Sequence, residues 1–129
     1  MKILVCGGAG FIGSAFIRNY LKNHSEHKII NLDLLTIGSN IKNLNEIEQN
    51  NNYQFIKGDI KNQKTIDELA KDVDIIINFA AESHVDRSIA NPKPFIDTNI
   101  LGTYSLLEAT KKHDNLFIHV STDEVYGDT

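Results

Sequence analysis

The sequence predicts an α/β fold built on one doubly wound parallel sheet, and three observations carry that expectation. Short continuous apolar runs recur along the chain, as strands buried on both faces require. Between them lie segments whose apolar residues repeat at helical spacing. The first apolar run leads through a cluster of glycines straight into the first helical segment. Strands and helices alternating in this way imply parallel strands joined by right-handed crossovers, which put helices on both faces of the sheet.

Residues 3–6 form the first strand. Phe11, Ile12, Ala15, Phe16, Tyr20 and Leu21 then recur at helical spacing, with Asn23 and His24 marking the helix end. Residues 28–32 are the second strand. Residues 33–52 are polar and Asn-rich apart from one short helix near residues 44–47, and residues 49–52 are read as a polar surface turn. Residues 53–57 make the third strand and residues 65–71 a helix. Residues 74–79 are the most strongly apolar strand. Pro92 and Pro94 open a long helical segment, since proline fits a first helical turn. Its apolar residues include Ile96, Ile100, Leu101, Tyr104, Leu107 and Ala109, and residues 116–120 are a fifth strand.

Composition narrows the partners. A length of 129 residues suits one domain, and 41% hydrophobic residues supply one core. The net charge of -4, with Lys and Arg scattered among carboxylates, repels a phosphate backbone, so no nucleic-acid partner is expected. Cys6 is the only cysteine, which excludes an internal disulfide and fits a reducing cytosol. Its apolar surroundings mark it as a buried structural thiol. No apolar run is long enough for a signal peptide or a membrane span, so a cytoplasmic protein is expected. His24, His27 and His113 show no metal-ligand spacing and no metal is expected. His119, inside the fifth strand, is read as a core histidine.

The glycines set out a specific demand. Gly7, Gly10 and Gly13 have the spacing G-x-x-G-x-x-G between a strand and a helix, with Gly8 adding flexibility. Such a turn lets the backbone approach a pyrophosphate and leaves the N–H groups of the helix start free to bind it. Phe11 and Ile12 would contribute backbone there. About twenty residues on, Asp33 ends the second strand, where a carboxylate can accept hydrogen bonds from ribose hydroxyls and repel a 2′-phosphate. Together these features predict a Rossmann-type domain that binds NAD rather than NADP. Asp59 and Ile60 follow the third strand, facing the adenine end of such a cofactor. By position alone, a helix-capping or turn role for Asp59 is the better reading.

Several later stretches are more particular: residues 33–36 (DLLT), 78–88 (NFAAESHVDRS), 97–103 (DTNILGT) and 121–127 (STDEVYG). Together with the glycine pattern they resemble the dTDP-glucose 4,6-dehydratases of the extended short-chain dehydrogenase/reductase family. The resemblance runs over essentially the whole chain and covers about the first two fifths of such an enzyme. It implies that a hydride is taken from sugar C4, water is eliminated across C5 and C6, and the hydride returns to C6. By matching position Thr122 would hydrogen-bond the C4 hydroxyl, Asp123 would protonate the leaving C6 hydroxyl, and Glu124 would remove the C5 proton. An acid that stays protonated near neutral pH calls for a desolvated site beside another negative charge. The same resemblance implies that Ala80, Ala81 and Ser83 line the nicotinamide ribose and that Thr98 contacts the cofactor. His84, Asp86 and Arg87 fit a family loop or a capping and salt-bridge role equally well.

The family's catalytic Tyr-x-x-x-Lys on the helix after the fifth strand does not occur in that place. Tyr126 belongs to a Val-Tyr-Gly turn instead. Residues 1–129 are therefore expected to be an incomplete NAD-binding domain without the sugar-nucleotide lobe, inactive alone, with the fifth strand an exposed edge. The resemblance implies a nucleotide-sugar substrate and a homodimer for the intact enzyme. A non-catalytic NAD-binding remnant, or an enzyme acting on another nucleotide sugar, would share these features.

Overall fold

Alternate residues of the first strand serve two different cores. In β1 (Lys2–Cys6) Ile3 and Val5 face one side of the sheet, and Leu4 and Cys6 the other, all essentially inaccessible to solvent. This is the period-two alternation of a strand covered on both faces. The structure is a computed structural model and describes residues 1–128. Its remaining strands are β2 (Lys28–Asp33), β3 (Tyr53–Lys57), β4 (Ile75–Asn78) and β5 (Leu116–His119). They form one parallel sheet in the order β3-β2-β1-β4-β5. This is the doubly wound α/β fold of Rossmann type, and the chain reverses its direction of winding between β1 and β4.

Helix α1 (Phe11–Asn23) covers one face through Ile17 and Leu21, joined by Leu44 from a 3₁₀ helix at Ile41–Ile47. Helix α2 (Gln63–Ala70) covers the other through Ile66 and Ala70. Asn62 caps α2, its side chain accepting from the Thr65 N–H, so the helix starts two residues before the expected position. A short helix α3 (Val85–Ala90) occupies what the sequence suggested was loop.

Pro92 caps a helical rod that begins as α4 (Lys93–Phe95), widens into a π-helix (Ile96–Gly102) and continues as α5 (Thr103–His113). Only part of the expected apolar face of this rod is core. Leu106 and Ala109 are fully buried, whereas Ile96, Ile100, Leu101, Tyr104 and Leu107 are exposed. Strand β5 lies at the sheet edge as expected, with Leu116 and Ile118 exposed. His119, expected in the core, is exposed there as well, because an edge strand has a neighbour on one side only.

The polar stretch after β2 is anchored on α1. Arg18 of α1 donates to the Asn43 carbonyl at 3.2 Å and pairs with Glu46 at 3.3 Å, which docks the 3₁₀ helix on α1. Among the described residues no helix is long and apolar enough to cross a membrane.

Candidate functional site

The turn after β1 is shaped by what a side chain would strike. Gly7 has φ +78°, and a Cβ on it would lie 2.5 Å from the Ala80 backbone nitrogen at the end of β4. A Cβ on Gly13 would collide with the Gly7 carbonyl oxygen, so α1 packs directly on the turn. Gly8 differs from its expected role of lending flexibility. It is buried, and a Cβ there would overlap the Asn31 side chain and Ile17, which makes it a packing glycine. Gly10 caps α1 with no side-chain hydrogen bond. The first three N–H groups of a helix have no acceptor within it, so those of Phe11, Ile12 and Gly13 point out of the turn.

Ala9 fixes this turn in place. Its N–H donates to Asp33 Oδ2 at 2.9 Å. Its carbonyl accepts from the Asn40 N–H at 2.9 Å and from Asn43 Nδ2 at 3.1 Å. The other Asp33 oxygen accepts from the Leu35 N–H at 2.8 Å. Asp33 is 5% exposed, so this carboxylate is held by two backbone donors at the tip of β2. Below the turn, burial and then the Asp33 charge push the Cys6 thiol up to about 12.

Turn and carboxylate open on a cavity of about 820 Å³ at the carboxyl ends of the strands. All twelve residues expected to contact a cofactor line it: Gly7, Gly10, Phe11, Ile12, Gly13, Asp33, Asp59, Ile60, Ala80, Ala81, Ser83 and Thr98. The two readings of Asp59 coexist, since Oδ1 accepts from the Lys61 N–H at 2.9 Å while the residue still faces the cavity. Thr122 reaches the rim, its hydroxyl accepting from the Glu124 N–H at 3.3 Å. Asp123 and Glu124 lie beyond it, on an exposed 3₁₀ turn (Asp123–Tyr126). The desolvated setting that a protonated Asp123 requires is not built by the described residues.

Two further features of the cavity, the Asn99–Glu82 bonds and the Thr103 hydroxyl, went unread in the sequence. Asn99 and Glu82 exchange two hydrogen bonds, Asn99 Nδ2 to the Glu82 carbonyl and the Glu82 N–H to Asn99 Oδ1, both at 2.9 Å. This ties the segment after β4 to the π-helix. The quoted DTNILGT stretch contained Asn99 but gave no cue to its partner. Arg87 pairs with Glu82 at 3.3 Å, which realises the salt-bridge reading of that residue. Thr103 lines the cavity and its Oγ1 is buried without a protein partner.

The site fits a dinucleotide. It offers unpaired N–H groups for a diphosphate, a buried carboxylate on the ribose side and an unsatisfied hydroxyl, in the crevice where doubly wound sheets bind ligands. The spacing Tyr53 to Lys57 is a Tyr-x-x-x-Lys, but it lies along β3, where the two residues stand about 13 Å apart. Tyr53 moreover accepts a hydrogen bond from the buried Asn31 at 3.0 Å.

The family model for GDP-mannose 4,6 dehydratase matches residues 4–129. The chain belongs to this family. Within it, the chain is 48% identical to the low-salt glycan biosynthesis protein Agl12 of Haloferax volcanii, over 99% of the chain and 41% of that protein. It is 49% identical to a dTDP-glucose 4,6-dehydratase of Escherichia coli, over 99% of the chain and 38% of that enzyme. The solved dTDP-glucose 4,6-dehydratase of Streptomyces venezuelae, DesIV with NAD bound, superposes with a TM-score of 0.92 at 42% identity. That match covers the whole of this chain and 42% of that one. The chain thus spans about two fifths of the length of these relatives.

Proposed function

We propose that residues 1–129 are the NAD-binding part of a nucleotide-sugar 4,6-dehydratase whose substrate is dTDP-glucose. The observation that carries the reading is the single cavity that gathers the glycine turn, Asp33 and the segment after β4. Similarity to dTDP-glucose enzymes at 41–49% identity supports dTDP over other nucleotides.

When bound, NAD supplies a hydride acceptor and donor beside the sugar ring. The N–H groups at the start of α1 hold its diphosphate, and Gly10 lets it approach. Asp33 accepts from the adenosine ribose hydroxyls and disfavours a 2′-phosphate. Asp59 and Ile60 border the adenine, Ala80, Ala81 and Ser83 the nicotinamide ribose, and Thr98 the far wall. Thr122 orients the C4 hydroxyl. Glu124 takes the C5 proton, and Asp123 gives a proton to the departing C6 hydroxyl. For Asp123 to hold that proton, the chain around it must exclude water and keep Glu124 close. The intact enzyme works in the cytoplasm as a homodimer, with neither nucleic acid nor membrane as partner.

The test is calorimetric titration of the purified chain with NAD and NADP, followed by a dTDP-glucose turnover assay. NAD binding at least about tenfold tighter than NADP, a difference of about 1.4 kcal/mol, is the expected result. Equal or tighter NADP binding overturns the role of Asp33, and no binding of either overturns the reading. The expected turnover of dTDP-glucose by residues 1–129 alone is negligible. Measurable turnover would show that the chain needs no further catalytic groups.

A further inference from the structure

At the opposite end of α1, the turn into β2 brings three ligand-bearing side chains together. One donor atom from each of His24, Glu26 and His27 lies within 4.8 Å of the other two. No metal was expected from the histidines alone; Glu26, between His24 and His27, was not counted with them. It is the reversal of the chain after the helix that converges them. Two imidazoles and a carboxylate are the donor set of a borderline divalent cation such as zinc.

Three independent features favour a cation here. His27 Nδ1 is 2.8 Å from the Tyr20 hydroxyl, which leaves Nε2 turned toward Glu26, 3.1 Å from its Oε1. A metal-ligating imidazole is held in this way, by a polar partner on its second nitrogen. The rings of His24 and His27 lie nearly parallel, 9° apart, with centroids 5.3 Å from each other. The group also sits at the carboxyl end of a 13-residue helix, where the helix dipole favours positive charge.

We propose that His24, Glu26 and His27 form a zinc-class metal site with a fourth position open to water. The bound ion ties the end of α1 to the start of β2. The helix puts the site about 20 Å from the glycine turn, so it acts on the frame of the fold and not on the cofactor cavity.

The experiment is a titration of the purified protein with zinc chloride by calorimetry, repeated with cobalt(II) read by visible absorption. The expected result is one ion per chain, with affinity at least about tenfold weaker in His24→Ala and in His27→Ala. Glu26→Gln, a change at an exposed surface that leaves the fold intact, is expected to weaken binding as well. Affinity unchanged in any of the three variants overturns the site, as does the absence of saturable binding below about 1 mM zinc, the range of non-specific surface association.

Discussion

The Asp33 carboxylate accepts a hydrogen bond from the Ala9 backbone N–H at 2.9 Å, across 24 residues of sequence. The residue proposed to choose the cofactor thus also holds the turn that receives its diphosphate. Asp33→Ala removes the acceptor and strands a buried donor, which costs about 1–3 kcal/mol. Urea unfolding measures that loss. NAD titration of the same variant is expected to show weaker binding and a lost preference over NADP.

Gly10 and Gly13 separate binding from folding. A Cβ on Gly10 meets only the Gly7 carbonyl at 3.4 Å, and the Gly10 φ of -74° suits any residue. Gly10→Ala is expected to keep its melting temperature and lose NAD affinity. In Gly13→Ala the new methyl meets backbone that cannot move aside. That variant is expected to lose about 1–3 kcal/mol of stability along with binding.

Cys6 is expected to be inert. Burial and the Asp33 charge raise its pKa to about 12, so almost no thiolate exists at neutral pH. Labelling with a maleimide should proceed only after denaturant is added. Rapid labelling of the native protein would mean that β1 is not the covered central strand described above.

Asp67 ties α2 to α5, accepting from Lys112 Nζ at 2.7 Å and from Gln63. The Lys112 hydrogen bond, followed by that of Gln63, lowers its pKa from the ordinary 3.8. A lowered folded value means that the contribution is fully present above about pH 4 and is lost as pH falls through the folded value. Acid unfolding of Asp67→Asn should lack this component, so the wild-type advantage in melting temperature seen near neutral pH should shrink in acid. An advantage that grows in acid would refute the assignment.

Most of the fold was legible because buried strands and covered helices leave periodic apolar traces. Ile75, Ile76 and Ile77 could be little else than a central strand. Helix α3 escaped because its apolar residues, Val85 and Ile89, are exposed and it has no buried face. The bonds that Asn40 N–H and Asn43 Nδ2 make to the Ala9 carbonyl could not be read, since a polar group that bonds a distant carbonyl carries no periodic mark. The long rod was read correctly as helix, but its apolar residues alone do not tell which of them are covered: Leu106 and Ala109 are buried, and Ile96, Ile100, Leu101, Tyr104 and Leu107 are exposed. The cavity-lining residues were legible through the glycine spacing and the family stretches. The grouping of His24, Glu26 and His27 was not, because it depends on the turn that follows α1.

The position of β1 also sets a timetable. Ile3 pairs with Ile29 on one side and with Ile75 on the other. Ribosomes add about 5–20 residues per second, so the second partner follows the first strand by roughly 4–14 s. During that interval the central strand of the sheet is half-paired and open to other nascent chains. A chaperone that shields short aliphatic segments would matter most to this protein before β4 emerges, and little afterwards.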